Sequence, residues 1–168
     1  EFIDYEEICL PDILDRTAKQ FPDKPALIFQ GTTVSFTQLK EMVDRMAACL
    51  ADFGVKQGDA VAILLPNVIP CVVTYFAILK IGAITVMNNP LYSDPELEHQ
   101  FNDSGAKVLI TLDVLANRMI DLRPRTQIRQ IIHTCIGDYL PALKRVLGKW
   151  LKKYPFGEVK AAPDVYLW

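Results

Sequence analysis

Apolar residues at Ile8, Leu10, Ile13, Leu14 and Ala18 follow helical spacing and predict a helix from Ile8 to Gln20. Asp12, just after Pro11, reads as its cap or first-turn acid. Phe21-Pro22-Asp23-Lys24-Pro25 breaks that rhythm. Two short runs, Ala26 to Phe29 and Thr33 to Ser35, then flank the turn Gln30-Gly31-Thr32 and predict a hairpin. Ser35 and Gln38 stand three apart, the spacing of a capping box, and open a helix through Phe53. Its inward face is Leu39, Met42, Val43, Met46, Ala47 and Leu50, and Gly54 is its stop.

From Ala60 onward the pattern changes. Ala60 to Leu65 is an unbroken apolar run, as expected of a strand covered on both faces. Asn67 is read as the N-cap of a helix to Ile81, with Pro70 in its first turn, where a missing N–H costs little. Gly82 ends that helix and Ala83 to Val86 is the next strand, followed by the turn Asn88-Asn89-Pro90. The next helix has two possible starts: Ser93 with Glu96 as a capping box, or Asp94-Pro95 as N-cap and N1. It ends at Ser104-Gly105. Lys107 to Leu112 is a third strand, Asp113 to Met119 a short helix, and Arg129 to His133 a fourth strand.

This β-α-β-α-β-α-β order predicts an α/β fold: a doubly wound, mostly parallel sheet flanked by helices, with an N-terminal hairpin. Residues 1–35 form the helix and hairpin, 36–136 the βα core, and 137–168 an amphipathic helix and tail. In that last part Leu140, Leu143, Val146, Leu147, Trp150, Leu151 and Tyr154 gather into an arc of roughly 140°. Lys144, Arg145, Lys149, Lys152 and Lys153 lie opposite. Such a helix packs on a sheet or lies on an acidic membrane surface. Pro155 to Trp168 has no clear period, and Tyr166-Leu167-Trp168 reads as cut off.

Composition narrows the classes. Hydrophobic residues make up 51% and charged ones 23%, which suits a globular domain, and a net charge of −2 gives no basic surface for nucleic acid. Cys9, Cys49, Cys71 and Cys135 form no Cys-x-x-Cys pair, so they read as buried free thiols in a reducing, cytoplasmic setting. The acidic start and Pro11 do not suit a secretory signal. Val68 to Met87 has the length of a membrane span, but Pro70 and Lys80-Ile81-Gly82 resolve it into helix, turn and strand.

Catalytic templates do not fit. The chain has no Gly-x-Gly-x-x-Gly and no Gly-x-x-x-x-Gly-Lys-Ser/Thr, and the loop between Gly54 and Gly58 leads into a strand, not a helix. Glu96 and His99 share a helix face near Glu98 and Asp103, a pattern that more often marks a solvated surface than a metal site. No nucleophile elbow marks a serine.

The wording from Asn88-Asn89-Pro90-Leu91-Tyr92-Ser93 through Glu96-Leu97-Glu98-His99-Gln100-Phe101-Asn102-Asp103-Ser104-Gly105-Ala106-Lys107 resembles long-chain fatty-acid–CoA ligases of the adenylate-forming acyl-CoA synthetase superfamily. The likeness extends to Phe21-Pro22-Asp23-Lys24-Pro25-Ala26-Leu27, Ser35-Phe36-Thr37-Gln38-Leu39, Gly54 to Ile63, Leu65-Pro66-Asn67 and Ala77 to Ala83, and covers about Leu10 to Thr111. It departs from the family wording at Asp94-Pro95 and Pro70-Cys71.

The resemblance implies ATP-dependent activation of a fatty acid to an acyl-adenylate, then thiolysis by coenzyme A, with Mg2+ assisting. The family's Thr/Ser-rich glycine loop ending in Gly-x-Pro-Lys-Gly is not in this chain, and Gly31-Thr32-Thr33 imitates it only in a hairpin turn. The chain therefore reads as the N-terminal portion of the large domain of such an enzyme. No catalytic, cofactor-binding or metal residue is assigned, and no ATP, Mg2+ or coenzyme A is expected to bind tightly. The alternatives are a lipid- or membrane-binding α/β module acting through Leu140 to Tyr154, and an adenylating enzyme for an aryl or amino acid. An open sheet edge further predicts self-association.

Overall fold

A computed structural model describes residues 6–141 and 157–168. The chain begins with helix α1 (Leu10–Gln20) and the antiparallel hairpin β1 (Pro25–Phe29) and β2 (Thr32–Ser35). Gln30 and Gly31, at φ 53° and 95°, make its two-residue turn. Helix α2 (Phe36–Asp52) follows, then β3 (Ala60–Leu64), α3 (Ile69–Lys80), β4 (Ile84–Met87), α4 (Asp94–Ser104), β5 (Val108–Leu112), α5 (Asp113–Leu122), β6 (Gln130–Thr134) and β7 (Val165–Leu167).

Strands β3 to β7 form one parallel sheet in the order β4-β3-β5-β6-β7. The chain moves from β3 out to β4, returns to the other side of β3 for β5, and continues outward. This is the predicted doubly wound path. Alternation along β3 divides the interior in two. Val61 and Ile63 join a core with Leu14, Leu50 and Ile78 of the first three helices. Ala62 and Leu64 join another with Leu97 and Phe101 of α4 and Met119 of α5. Burial on both faces explains why β3 is apolar throughout and why the one polar residue of β5, buried Thr111, donates its hydroxyl to Leu64 O at 3.3 Å.

The capping predictions resolve into particular hydrogen bonds. Ser35 Oγ accepts the Gln38 N–H at 3.3 Å, and Gln38 Oε1 accepts the Ser35 N–H at 2.9 Å. At α4 Ser93 is the N-cap, with its N–H and Oγ–H both donated to Glu96 Oε2. Of the two possible starts, the capping box is the one adopted. Gly105 closes the same helix in the left-handed conformation, φ 66°.

Several expectations need correction. Asn67 does not cap α3; Val68 holds that place, with extended backbone and no side-chain bond. An N-cap at Asn67 would put Pro70 at N3, with no N–H to offer its side chain. Helix α1 starts at Leu10 rather than Ile8, with Asp12 in its first turn, and Leu10 and Ile13 remain exposed. Helix α5 continues past Met119 to Leu122. Only one thiol, Cys71, is buried, while Cys9 is exposed and Cys49 and Cys135 are half-buried. The tail that lacked a period supplies β7, which pairs with β6. Three residues are too few to reveal alternation.

Among the described residues no helix is long and apolar enough to cross a membrane. The amphipathic stretch Leu140 to Tyr154 lies, beyond Pro141, outside the described residues.

Candidate functional site at the carboxyl edge of the sheet

In open α/β sheets ligands bind beyond the carboxyl ends of the strands, beside the point where the strand order reverses. Here that point lies between β3 and β5. The loops around it are the turn after β4, which opens the most distinctive wording of the chain, and the beginnings of α3 and α5.

The turn after β4 is held in shape by its own hydrogen bonds. Asn88 is buried; its backbone N–H donates to Ile63 O at 2.8 Å and its Nδ2 to Val86 O at 2.8 Å. It thus ties the end of β4 to β3. Asn89 Oδ1 accepts the Leu91 N–H at 3.0 Å, an Asx turn. Arg118 of α5 donates through Nη2 to Tyr92 O and through Nε to Asp94 Oδ1, both at 2.6 Å. The crevice between Pro66-Asn67 and Met87 to Leu91 holds about 490 Å³, and Leu91 stands almost wholly exposed above it. Asn88 Oδ1 is the one buried polar atom there without a partner.

Beyond β5 and β6 lies a second polar group, formed by Asp113, His133 and Cys135. Thr111 pairs with His133 and Leu112 with Thr134, so the register carries Asp113 alongside Cys135. The Asp113 carboxylate is committed: Oδ1 accepts the Val114 N–H at 2.8 Å, and Oδ2 accepts the Gly157 N–H at 3.0 Å. Burial lowers the His133 pKa, with Asp113 opposing it, so the imidazole is neutral near pH 7. Burial also pushes the Cys135 thiol up to about 11; the nearby carboxylates Asp113 and Asp138 add to this, and the Gly137 N–H opposes it. A protonated thiol is not a nucleophile, so the acid–imidazole–thiol grouping has the residue types of a catalytic set but not the ionisation.

The residues weighed for metal binding are dispersed. Glu96 belongs to the cap, which lowers its pKa through the Ser93 side-chain and backbone bonds, and Glu98 pairs with Arg125 at 3.2 Å. Among the described residues no three His, Cys, Asp or Glu side chains cluster as a metal site. Gly31-Thr32-Thr33 sits in the hairpin, where Thr32 pairs with Phe29 and Thr33 with Ile28. The Asp113–His133–Cys135 group escaped sequence reasoning because only strand register unites it.

The sequence and fold of this chain are similar to those of known proteins. The family described as AMP-binding enzyme matches residues 14–163. A long-chain-fatty-acid–CoA ligase of Bacillus subtilis is 39% identical over 138 residues, which are 82% of this chain and 25% of that protein. Its counterpart in Escherichia coli O157:H7 is 36% identical over 146 residues, 86% of this chain and 26% of the relative. The chain thus spans about a quarter of the length of the curated relatives it matches. Among solved structures, the anthranilate CoA ligase AuaEII in complex with anthranoyl-AMP superposes with a TM-score of 0.72 at 26% identity, covering 95% of this chain and 30% of that one. A long-chain-fatty-acid-CoA ligase from Archaeoglobus fulgidus gives 0.72 at 25% identity, covering 96% and 33%.

Proposed function

The chain belongs to the AMP-binding enzyme family, and from that premise we propose that it is the N-terminal scaffold of an ATP-dependent ligase that converts a long-chain fatty acid to an acyl-adenylate and then to acyl-CoA. The observation that carries this reading is the 39% identity to the Bacillus subtilis long-chain-fatty-acid–CoA ligase. In this reading the stretch supplies the sheet on which a site is built, and no reacting group. The chemistry of its residues supports that division. A phosphoryl or adenylyl transfer needs phosphate-cradling amides and cationic groups directed at developing charge. The buried carboxylate at the sheet edge, Asp113, is occupied by two backbone N–H groups, so these residues do not fit Mg2+ or ATP. Fatty acid, ATP, Mg2+ and coenzyme A belong to the whole enzyme.

Two measurements test this. The purified 168-residue chain, given palmitate, ATP and Mg2+, is expected to show no palmitate-dependent pyrophosphate exchange; exchange above the blank would overturn the scaffold reading. A soluble chimera carrying residues 14–163 in place of the matching segment of the Bacillus subtilis ligase is expected to exchange with palmitate and not with anthranilate. The reverse preference would remove the fatty-acid assignment.

A further inference from the structure

Four charged residues stand in a row along the amino edge of the sheet, opposite the carboxyl edge. Asp59 precedes β3, Lys107 precedes β5, Arg129 precedes β6 and Asp164 precedes β7. The strand order β3-β5-β6-β7 therefore sets them as acid, base, base, acid. All four line a cavity of about 410 Å³ that also meets the end of α2 at Phe53. This size falls within the roughly 300–1,000 Å³ of small-ligand pockets, whose orientation is set by a few polar groups. The register fixes the two bases side by side: Val108 pairs with Gln130, and the Arg129 N–H donates to Lys107 O at 2.7 Å. Arg123 joins the starts of β6 and β7, donating through Nη1 to Arg129 O at 3.3 Å and to Pro163 O at 2.8 Å.

Like charges abreast on neighbouring strands destabilise a sheet. The flanking acids do not relieve them here. Neither Lys107 nor Arg129 makes an ion pair or side-chain hydrogen bond among the described residues, unlike Arg16, Arg118 and Arg125, which each pair with a carboxylate. Asp59 Oδ2 accepts the Lys56 N–H at 2.8 Å, and Asp164 Oδ1 accepts the Tyr166 hydroxyl at 3.4 Å. Two unopposed cations on one cavity are a local conflict of the kind proteins keep at functional sites.

The order of charges specifies the ligand. The central pair matches a dianion, and a phosphate monoester carries a charge of about −1.5 to −2 at pH 7. The outer carboxylates accept hydroxyl donors and repel a second anionic group, so the body of the ligand is polyhydroxylated and has no further phosphate. A nucleotide base has no free ring to stack on: Phe53, the aromatic residue of the lining, already packs on Tyr166 with ring centroids 4.6 Å apart. From this we propose that the amino-edge cavity binds a phosphorylated sugar, with its phosphate on Lys107 and Arg129 and its hydroxyls on Asp59 and Asp164. The proposal stands apart from the adenylation reading, which places no group at this edge.

Isothermal titration of the 168-residue chain with glucose 6-phosphate, in a buffer free of phosphate, is expected to show one saturable site. Inorganic phosphate should bind about tenfold more weakly, and Lys107→Gln and Arg129→Gln should each weaken glucose 6-phosphate about tenfold, the usual scale for losing a charge-assisted hydrogen bond. Both side chains are exposed, so these variants keep the fold. Asp164→Asn retains a residue suited to the left-handed backbone there, φ 58°. It should weaken glucose 6-phosphate while strengthening inorganic phosphate, an opposite shift that separates hydroxyl recognition from general attraction of anions. No saturable site for glucose 6-phosphate would overturn the proposal, as would equal affinity for inorganic phosphate or unchanged binding by Lys107→Gln and Arg129→Gln. AMP binding tighter than glucose 6-phosphate would assign the cavity to a nucleotide instead, and binding only to phosphatidylinositol 4-phosphate vesicles would assign it to a membrane surface.

Discussion

Gly157 donates its N–H to Asp113 Oδ2 at 3.0 Å, and a Cβ built on Gly157 would collide with the backbone carbonyl of Asp113. The backbone before β7 therefore presses on the first residue of α5 at a distance only glycine permits. Other bonds continue along the same helix and the turn that follows it. Asn117 Oδ1 accepts the Lys160 N–H at 2.9 Å, its Nδ2 donates to Glu158 O at 2.7 Å, and Arg123 Nη1 donates to Pro163 O at 2.8 Å. Residues 113, 117 and 121 share a helix face by their spacing of four, and Asp121 pairs with Lys160. This face of α5 is what delivers β7 to the sheet.

Gly157→Ala should accordingly destabilise the protein by about 1–3 kcal/mol, the range for forcing an extra methyl into packed structure. Asp113→Ala should cost a similar amount, about 1–3 kcal/mol, by leaving the Gly157 N–H without an acceptor. Urea unfolding followed by circular dichroism measures both. A parental midpoint for Gly157→Ala would mean that the two backbones separate freely and that the contact does not fix β7.

The Ser35 capping box gives a second expectation. Ser35→Ala removes the acceptor for the Gln38 N–H at the start of a 17-residue helix. The loss should be about 1 kcal/mol, as for N-cap serines generally. Asn67→Ala, by contrast, should leave stability nearly unchanged, since Asn67 does not cap α3. Equal losses for the two variants would contradict the observed start of α3.

How much of this was legible in the sequence depended on the range of each interaction. Ser35 with Gln38 and Gly105 after Ser104 act within one turn of helix, so their residues announced them. The apolar runs of β3 and β5 told that both faces are covered, and the alternation of strand and helix gave the parallel sheet. Asn67 misled because a good capping residue stood one place before the true cap, and only the position of Pro70 excludes it. Strand β7 and the Asp113–His133–Cys135 group were not legible. Their bonds join residues 20 or more apart in sequence, and Gly157 carries no local sign of the backbone it must approach.

Lys80 joins three helices: it bonds Asp15 of α1 at 2.9 Å and lies 2.6 Å from Asp44 of α2. Burial raises the Asp44 pKa, but hydrogen bonds and charge from Lys40 and Lys80 outweigh it, and the net value falls below 3.8. Burial lowers the Lys80 pKa, and its two aspartates outweigh that, raising it above 10.5. The Asp44 contribution is therefore present above pH 3.8 and lost as pH falls through the depressed folded value. The Lys80 contribution is complete below pH 10.5 and lost as pH rises through the elevated one. With these side chains 26% and 38% exposed, solvent screening holds the pair to at most about 1 kcal/mol. A double-mutant cycle of Asp44→Asn and Lys80→Met in urea should give a coupling that shrinks in 1 M salt, of order a 3 Å screening length. A coupling independent of salt and pH would exclude the ionic account.

His133 titrates with a different partner and the same sign as Asp44. Burial lowers its pKa below 6.5, Asp113 opposing, so the unfolded chain takes up a proton more readily than the folded one. Its contribution to stability is present above pH 6.5 and is lost as pH falls through the folded value. His133→Gln should flatten the stability profile just below pH 6.5 while leaving the plateau above it in place. Proton NMR of the imidazole checks the premise, and a midpoint above 6.5 would reverse the expected sign.

The four thiols should separate by alkylation rate. The thiolate is the reactive form, so rate follows both access and pKa. Cys9 is exposed and should react first with iodoacetamide at pH 8. Cys135 is half-buried, and burial, reinforced by Asp113 and Asp138, holds its thiol at about 11. At pH 8 about one molecule in a thousand carries that thiolate, and the rate should climb about tenfold per pH unit until it levels off near 11. Burial also raises Cys71, which should stay unlabelled until urea opens the core around α3. Mass spectrometry of timed samples resolves the sites. Labelling of Cys135 as fast as Cys9 at pH 8 would mean that the Asp113 group is open to solvent, and with it the junction that Gly157 closes.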